Sequence, residues 1–366
     1  MRIGISALFY ASGGSLTNLV QLLRVWAADG TLGRHELVLF ASDGTVAGLR
    51  RECGDELLGR LRISVLSRTG GGWAGRLIAE QFSLLRRLRE ERIDVLFCPG
   101  NVIPYAARVP TVAVFQNAAP FCDSVTRRSV GFAKWIPIRL LGFLVRLTAR
   151  KATRVIFISR FFRDLFVERY AFPAEKGVVI LRAGGGGGER AADAELPPGV
   201  VAPYILSLSN VNPYKNLIEL IEGFALAVGD RPHRLVIVGL VNYPAYFQAM
   251  KDTVARCGLE GRVIFTGELP HRAVEALLSG CESFVFTSTC ENCPTALIEA
   301  MSFGLPVASS AVGVMPEIGG DAVRYLDPDS PQSIAEALAA LMTDGALRAD
   351  LAARARARAA TFPGAS

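Results

Sequence analysis

Histidine is nearly missing from this chain of 366 residues: His35, His233 and His271 are the whole supply. A histidine-rich metal centre therefore has few ligands to draw on. Cysteine offers no replacement. The seven cysteines stand at 53, 98, 122, 257, 281, 290 and 293, an odd number without framework spacing. The CxxC formed by Cys290 and Cys293 lacks the second pair or the nearby histidines that a structural zinc site uses, so reduced thiols are expected. Also lacking is an uncharged apolar run of the roughly 20 residues that span a bilayer. The longest uncharged stretches, such as Ala300 to Pro316, are broken by Gly and Pro. The N-terminus, MRIGISALFY, enters a strand-like run directly. It has no basic start followed by a small-residue cleavage site, so the expected compartment is the cytosol. Finally, acid is absent from Ser124 to Arg163, a stretch that carries ten Lys and Arg.

What is present is apolar material, 51% of the chain against 20% charged. That is enough for two full cores in a chain of this length, and it excludes disorder. Charge divides with the chain. Residues 1–190 hold 28 Lys/Arg against 15 Asp/Glu, and residues 191–366 hold 12 against 19. Halves of opposite sign imply different partners. Short apolar runs alternate with helix-length amphipathic segments throughout: Ile3–Leu8, Glu36–Phe40, Ile63–Leu66, Val95–Cys98, Thr111–Phe115, Val155–Ile158 and Val178–Leu181, then Tyr204–Leu208, Leu235–Val238, Val263–Thr266, Phe284–Thr287 and Val307–Ser309. Alternation of this kind predicts βαβ units, and runs without polar interruption predict strands buried on both faces. Residues 183–203 contain five consecutive glycines and a Pro-Pro and read as a linker. The expected organisation is a domain over 1–182, a linker over 183–203 and a second domain over 204–366.

Ligands of doubly wound sheets sit beyond the carboxyl ends of strands, so loops leaving strands carry the candidates. The first is Ala11-Ser12-Gly13-Gly14-Ser15. Its glycines allow close backbone approach and the helix start favours an anion. It lacks the GxGxxG spacing of a dinucleotide site, and a plain βα turn reads the same way. The second runs from Ser207 through Ser209, Asn210, Asn212 and Pro213 to Lys215 and Asn216. Lys215 falls at a helix mouth, where an ammonium suits a diphosphate that gains charge as it leaves. The third is CENCPTALIEAM, Cys290 to Met301. Pro294 and Thr295 are helix-start residues, so Glu291 precedes the helix and Glu299 falls about one turn inside. Carboxylates beside phosphate bind hydroxyls: Glu291 suggests a sugar, and Glu299 a ribose or a second sugar. Glu299 equally fits a surface helix pair.

The pattern Glu291…Glu299, followed by Ala300-Met301 and Gly304-Leu305-Pro306-Val307, resembles the signature of the large retaining glycosyltransferase family called group 1 or family 4. The early glycine pair, Tyr214-Lys215-Asn216, Phe265-Thr266-Gly267 and Ser288 agree in order, and the resemblance is strongest from Tyr204 to Asp327. It implies an α/β fold of the GT-B type: two facing Rossmann-like doubly wound domains with a cleft between them. It also implies transfer of a sugar from a nucleotide-sugar donor to a glycan or lipid-linked acceptor, with retention at the anomeric carbon. Carried over residue by residue, Glu291 contacts the donor sugar, Lys215 holds the diphosphate and Glu299 binds the ribose. The backbone of Asn292, Cys293, Pro294 and Thr295, with Gly13 and Gly14, meets phosphate or sugar, and Gly267 and Glu268 hold the base. Ser209 and Asn210 flank the donor. No cofactor or essential metal is implied.

Three features depart from that pattern. Ser209 stands where many members carry Arg, and Arg182 and Arg160 are the candidates to replace it. Gln116 and Asn117 stand where many carry His. They can position an acceptor hydroxyl but not take its proton. The chain stops at Phe362–Ser366, where members begin a helix crossing back to the first domain, so that crossing is expected to be missing or very short. The acid-free segment 127–163 interleaves its basic residues with Phe132, Trp135, Ile136 and Phe143 and reads as an anionic membrane surface contact. The expected location is thus the inner face of the membrane. No nucleic acid partner is expected, because no binding motif accompanies the charge. Two other functions stay open: a sugar-nucleotide isomerase or hydrolase, which needs a further acid/base set, and a non-catalytic sugar-nucleotide-binding subunit.

Overall fold

The computed structural model describes residues 1–8, 10, 14–66, 75, 77–122, 132–181 and 196–362. Two parallel sheets organise them. The first contains β1 (Arg2–Ala7), β2 (Glu36–Ala41), β3 (Arg62–Val65), β4 (Val95–Cys98), β5 (Thr111–Phe115), β6 (Arg154–Phe157) and β7 (Gly177–Val179). Their order is β3-β2-β1-β4-β5-β6-β7. The helices that connect them are α1 (Gly14–Ala28), α2 (Thr31–Arg34), α3 (Asp43–Gly59), α4 (Leu84–Glu90), α5 (Phe132–Lys151) and α6 (Arg160–Tyr170). A single π-helical turn, Ala79–Ser83, leads into α4.

β1 lies between β2 and β4, pairing Ile5 with Leu39 and with Phe97. The chain reverses its direction of travel there, which makes the carboxyl ends of β1 and β4 the switch point of this sheet. Gly4 sits in β1 because a Cβ would come within 2.9 Å of the Phe40 ring. One face of the sheet closes over Leu16, Leu19, Val20, Leu23 and Leu49 from α1 and α3.

The second sheet contains β8 (Tyr204–Leu208), β9 (Arg234–Val238), β10 (Val263–Gly267), β11 (Ser283–Phe286), β12 (Val307–Ser310) and β13 (Arg324–Leu326), in the order β10-β9-β8-β11-β12-β13. Its helices are α7 (Leu217–Val228), α8 (Pro244–Arg256), α9 (His271–Gly280), α10 (Thr295–Ser302), α11 (Met315–Gly319), α12 (Pro331–Thr343) and α13 (Gly345–Ala359). The uninterrupted apolar strands are explained by the two cores. Tyr204, Leu206, Phe284 and Val307 turn to one face, while Ile205, Val285 and Ala308 turn to the other. Each large side chain so buried contributes about 1.5–3 kcal/mol, which is why every residue of β8 is apolar or small.

By internal contacts the chain forms two units. The first is 1–116, 140–158 and 163–180; the second is 117–139, 159–162 and 181–366. The first sheet ends at Val179 and the second begins at Tyr204, and two short segments, 117–139 and 159–162, group with the second unit. Of the expected linker 183–203, residues 183–195 lie outside the described residues.

Candidate active site

The second sheet also has a switch point, between β8 and β11, and the loops leaving those two strands carry the site. After β8 the chain makes a short 3-10 turn, Pro213–Lys215, and Asn216 takes a left-handed conformation with φ 52° before α7 begins. Asn tolerates that region because its short amide bonds locally. Here the Asn216 side chain donates to the carbonyl of Pro328 at 2.9 Å and to Asp329 Oδ1 at 2.8 Å. The loop after β11 is stitched to this turn. Thr287 Oγ1 donates to the Lys215 carbonyl at 2.8 Å, and the Thr289 N–H and hydroxyl both donate to the Tyr214 carbonyl, at 2.8 and 2.9 Å. Behind it, Ser310 Oγ from β12 donates to the Ser288 carbonyl at 2.6 Å.

These bonds bring Lys215 and Glu291 together. The Lys215 ammonium is ion-paired with Glu291 Oε1, and the two side chains are only 12% and 15% exposed. Lys215 Nζ also lies 5.4 Å from the centre of the Tyr214 ring and 5.1 Å from that of Phe286. Burial pushes the ammonium toward losing its proton, but the Glu291 and Tyr214 oxygens beside it prevail and hold it above its ordinary value. Lys215 is therefore a charged ammonium in a nearly dry place. Glu291 is its counter-ion.

The rest of the signature forms one turn and the start of α10. Asn292 is buried, and its Oδ1 accepts from Ser159 Oγ at 3.0 Å within the second unit. The Thr295 N–H donates to the Cys293 carbonyl at 3.0 Å, so that amide closes the turn rather than facing outward. Pro294 is the residue before the helix, and half-buried Glu299 falls in its second turn. After Ser159 in the chain, the amides of Arg160 and Phe161 donate to the Glu317 carboxylate at 2.8 and 2.7 Å. Ser159 and Glu317 were not legible as parts of this neighbourhood, because each matters through a tertiary contact and not through a motif.

The loops after β8, β9 and β10 also cohere. Ser209 is buried, and its N–H donates to the Val238 carbonyl at 2.8 Å. Asn210 Oδ1 accepts from Leu240 N–H at 3.2 Å. Gly239 N–H donates to the Gly267 carbonyl at 2.9 Å. Gly239 has φ 153°, and a Cβ there would lie 2.2 Å from the Ser209 carbonyl oxygen. The loops after β8, β9 and β10 therefore lie directly on one another. Exposed Glu268 follows at their edge.

Several expectations meet other outcomes. The Cys290–Cys293 pair is not a unit: Cys290 is disulfide-bonded to Cys122, 168 residues away, with Cα atoms 6.0 Å apart, and Cys293 takes no part in that bond. The reading of this CxxC as reduced thiols is corrected at Cys290 by proximity in the fold, which spacing cannot show. Gln116 is in the first unit, where Nε2 donates to the Pro99 carbonyl at 2.7 Å and Oε1 accepts from Asn18 at 3.3 Å. Its amide thus holds the ends of β4 and β5 together. Exposed Asn117 accepts from the Ala119 N–H at 2.9 Å. Gly14 opens α1, whereas Gly13, Arg182 and the basic residues 127 and 128 lie outside the described residues. His271 is exposed, at 3.3 Å from Glu275 one turn along α9. Among the described residues no three His, Cys, Asp or Glu side chains gather so as to hold a metal ion, and no helix is long and apolar enough to cross a membrane.

A Lys–Glu pair between two strand-end loops, an adjoining helix start and a stacked set of backbone loops lie at the switch point of the second sheet. Comparison with known families decides its kind. Residues 192–358 match the model described as "Glycosyl transferases group 1", and residues 12–183 match "Glycosyltransferase Family 4". The chain belongs to the group 1 glycosyltransferases. The O-antigen chain mannosyltransferase B of Escherichia coli is 26% identical over 218 residues, 58% of this chain and 57% of that protein. The serotype-specific mannosyltransferase WbdA of E. coli is 29% identical over 161 residues, 43% of this chain and 20% of that protein. The matches thus span little more than half of the first relative and a fifth of the second. The structure of Anabaena Alr3699/HepE in complex with UDP and glucose superposes with a TM-score of 0.70 at 20% identity, covering 98% of this chain and 95% of the other. The group 1 glycosyltransferase described here accordingly has the GT-B fold of two Rossmann-like units.

Proposed function

We propose that this group 1 glycosyltransferase transfers a sugar from a nucleotide-sugar donor to a glycan or lipid-linked acceptor, with retention at the anomeric carbon, in the synthesis of a cell-surface polysaccharide. The observation that carries this reading is the Lys215–Glu291 pair at the switch point of the second sheet. A donor diphosphate reaching Lys215 replaces Glu291 as its counter-ion and frees the carboxylate to bind sugar hydroxyls. The anomeric carbon–oxygen bond to the diphosphate breaks, the acceptor oxygen bonds to that carbon from the same face, and the acceptor proton leaves with the nucleoside diphosphate. In this scheme Lys215 stabilises the charge that develops on the leaving group, a contribution of about 10²- to 10³-fold for one such donor. Glu299 binds the ribose, and the backbone at Gly267 and Glu268 flanks the base. The O-antigen mannosyltransferases among the relatives make mannose the first donor sugar to try, and the UDP–glucose complex of the Anabaena protein makes glucose the second.

The same reading places the first unit against an anionic membrane. On α5, Phe143 is 56% exposed, and Arg146 and Arg150, three and seven residues further along, are exposed as well. Val145, Thr148 and Ala149 on the other side are buried. An exposed stripe of apolar and basic residues on one helix suits a headgroup layer.

The test is incubation with GDP-mannose, UDP-glucose and related donors plus a membrane extract, following nucleoside diphosphate release. Acceptor-dependent release supports transfer. Release of free sugar without acceptor supports a hydrolase, and binding without turnover supports a non-catalytic subunit.

A further inference from the structure

At the amino-terminal ends of β6 and β7, away from the strand-end loops of the first sheet, the C-terminal turns of α5 and α6 enclose a cavity of about 600 Å³. Phe143, Leu147, Phe172 and Pro173 supply its apolar surface, and Arg146, Arg150 and Arg169 supply three guanidiniums. Among the described residues none of the three has an ion-pair partner. Arg146 Nε donates to the Gly142 carbonyl at 3.2 Å, and its guanidinium lies 5.6 Å from the centre of the Tyr170 ring. Lys176 adds charge nearby, donating to the Arg150 carbonyl at 3.1 Å. Glu168 is the opposing charge among the lining residues.

Part of this has a local explanation. Arg150 and Lys151 close α5 and Arg169 closes α6, where cations complement the carbonyl ends of helices. That accounts for positive charge at each helix end. It does not account for three unpaired guanidiniums around one concave surface with an apolar floor. Phosphate oxygens satisfy guanidinium forks in pairs, and a neutral ligand leaves them unpaired.

We propose that this cavity binds the headgroup phosphate of an anionic phospholipid, with Arg146, Arg150 and Arg169 around the phosphate and Phe143 against the acyl-chain side. A lipid, rather than a soluble phosphate, is favoured by the neighbourhood. Phe143 lines the cavity and is also more than half exposed. A soluble anion has no use for that apolar rim. The proposal rests on the membrane reading of the first unit and gives it one defined contact point. It leaves the donor site in the second unit untouched.

The test is co-sedimentation of the full chain with vesicles of phosphatidylcholine containing phosphatidylglycerol. Arg150→Ala and Arg169→Ala should each weaken binding about fivefold, and the double variant about 25-fold, from the ordinary worth of one basic group at an anionic surface. Arg51→Ala, an exposed arginine on α3, removes the same charge elsewhere and should leave binding within about twofold. Nucleoside diphosphate binding, read by thermal shift, should be unchanged in all of them, which separates failure here from failure of the transferase reading. Equal losses for Arg51→Ala and Arg150→Ala would overturn the site in favour of diffuse charge. Thermal stabilisation of the parent chain by inorganic phosphate or glycerol 3-phosphate equal to that given by the vesicles, and lost in Arg150→Ala, would overturn the lipid in favour of a soluble anion.

Discussion

Glu291→Gln is the perturbation with the most to say, because Glu291 has two tasks. In the structure it neutralises a lysine that is only 12% exposed, and in the proposed reaction it binds the donor sugar. Removing one partner of a buried ion pair costs about 3–5 kcal/mol when the remaining charge is fully enclosed. Both side chains keep some contact with solvent, and the glutamine carbonyl still accepts from the ammonium. We therefore expect about 2 kcal/mol for Glu291→Gln and about 1 kcal/mol for Lys215→Met. The double variant should cost less than the sum, with a coupling of about 1–2 kcal/mol. Urea unfolding of the ligand-free chain reads these values from midpoints at unchanged slope. The same variants separate the functional roles. Glu291→Gln frees the ammonium, so the nucleoside diphosphate should bind at least as tightly as to the parent chain while transfer falls about 10²-fold or more. Lys215→Met should lose diphosphate binding and transfer together. Additive stability losses, agreeing within about 0.5 kcal/mol, would refute the pairing. Equal diphosphate affinity in Lys215→Met would refute its role.

Other consequences can be checked separately. Burial pushes the Glu80 carboxyl up to about 8, partly offset by the bond from Ser6 Oγ at 3.2 Å, while its second oxygen has no partner among the described residues. The folded chain thus holds a proton that the unfolded chain releases near 4.5. The contribution is complete below that value and is lost as pH rises through about 8, at about 1.4 kcal/mol per pH unit. Glu80→Gln should flatten this slope in unfolding curves measured from pH 5 to 8; an unchanged slope would assign it to other groups. Gly239→Ala should cost about 3 kcal/mol by driving a methyl into the Ser209 carbonyl at a left-handed φ, and an unshifted urea midpoint would contradict that contact. The Cys122–Cys290 bond closes a long loop, worth about 5 kcal/mol in the chain-entropy model. Reductant should lower the melting temperature of the parent chain but not that of Cys122→Ser; equal melting temperatures with and without reductant in the parent would show the pair is not joined.

Much of the fold was legible because parallel strands buried on two faces read as unbroken apolar runs. Tyr204–Leu208 is a strand as expected, and Leu235–Val238 and Val263–Thr266 each differ by one residue at an end. The site was legible in part, because Lys215 and Glu291 both follow such runs and the loops after β8 and β11 converge at a switch point. Their mutual ion pair was not, since 76 residues separate them and neither motif mentions the other. Asn216 as a left-handed residue, Ser159 bonded to Asn292, and Glu317 bonded to the amides of Arg160 and Phe161 were hidden for the same reason. The pattern of apolar runs names no element beyond Ser309, where the structure has β13 and helices α11 to α13. β13 has three residues, two of them exposed, so it carries no apolar run. The helix Gly345–Ala359 buries only Leu351, Ala355 and Ala359, too thin a stripe to announce itself among arginines.

The most direct test of the account is acceptor-dependent nucleoside diphosphate release by the parent chain, with Glu291→Gln and Lys215→Met measured beside it. The account predicts release from one nucleotide sugar that requires acceptor and falls by about 10²-fold or more in both variants. Release that persists undiminished in either variant would contradict the assignment of the Lys215–Glu291 pair as the centre of the site.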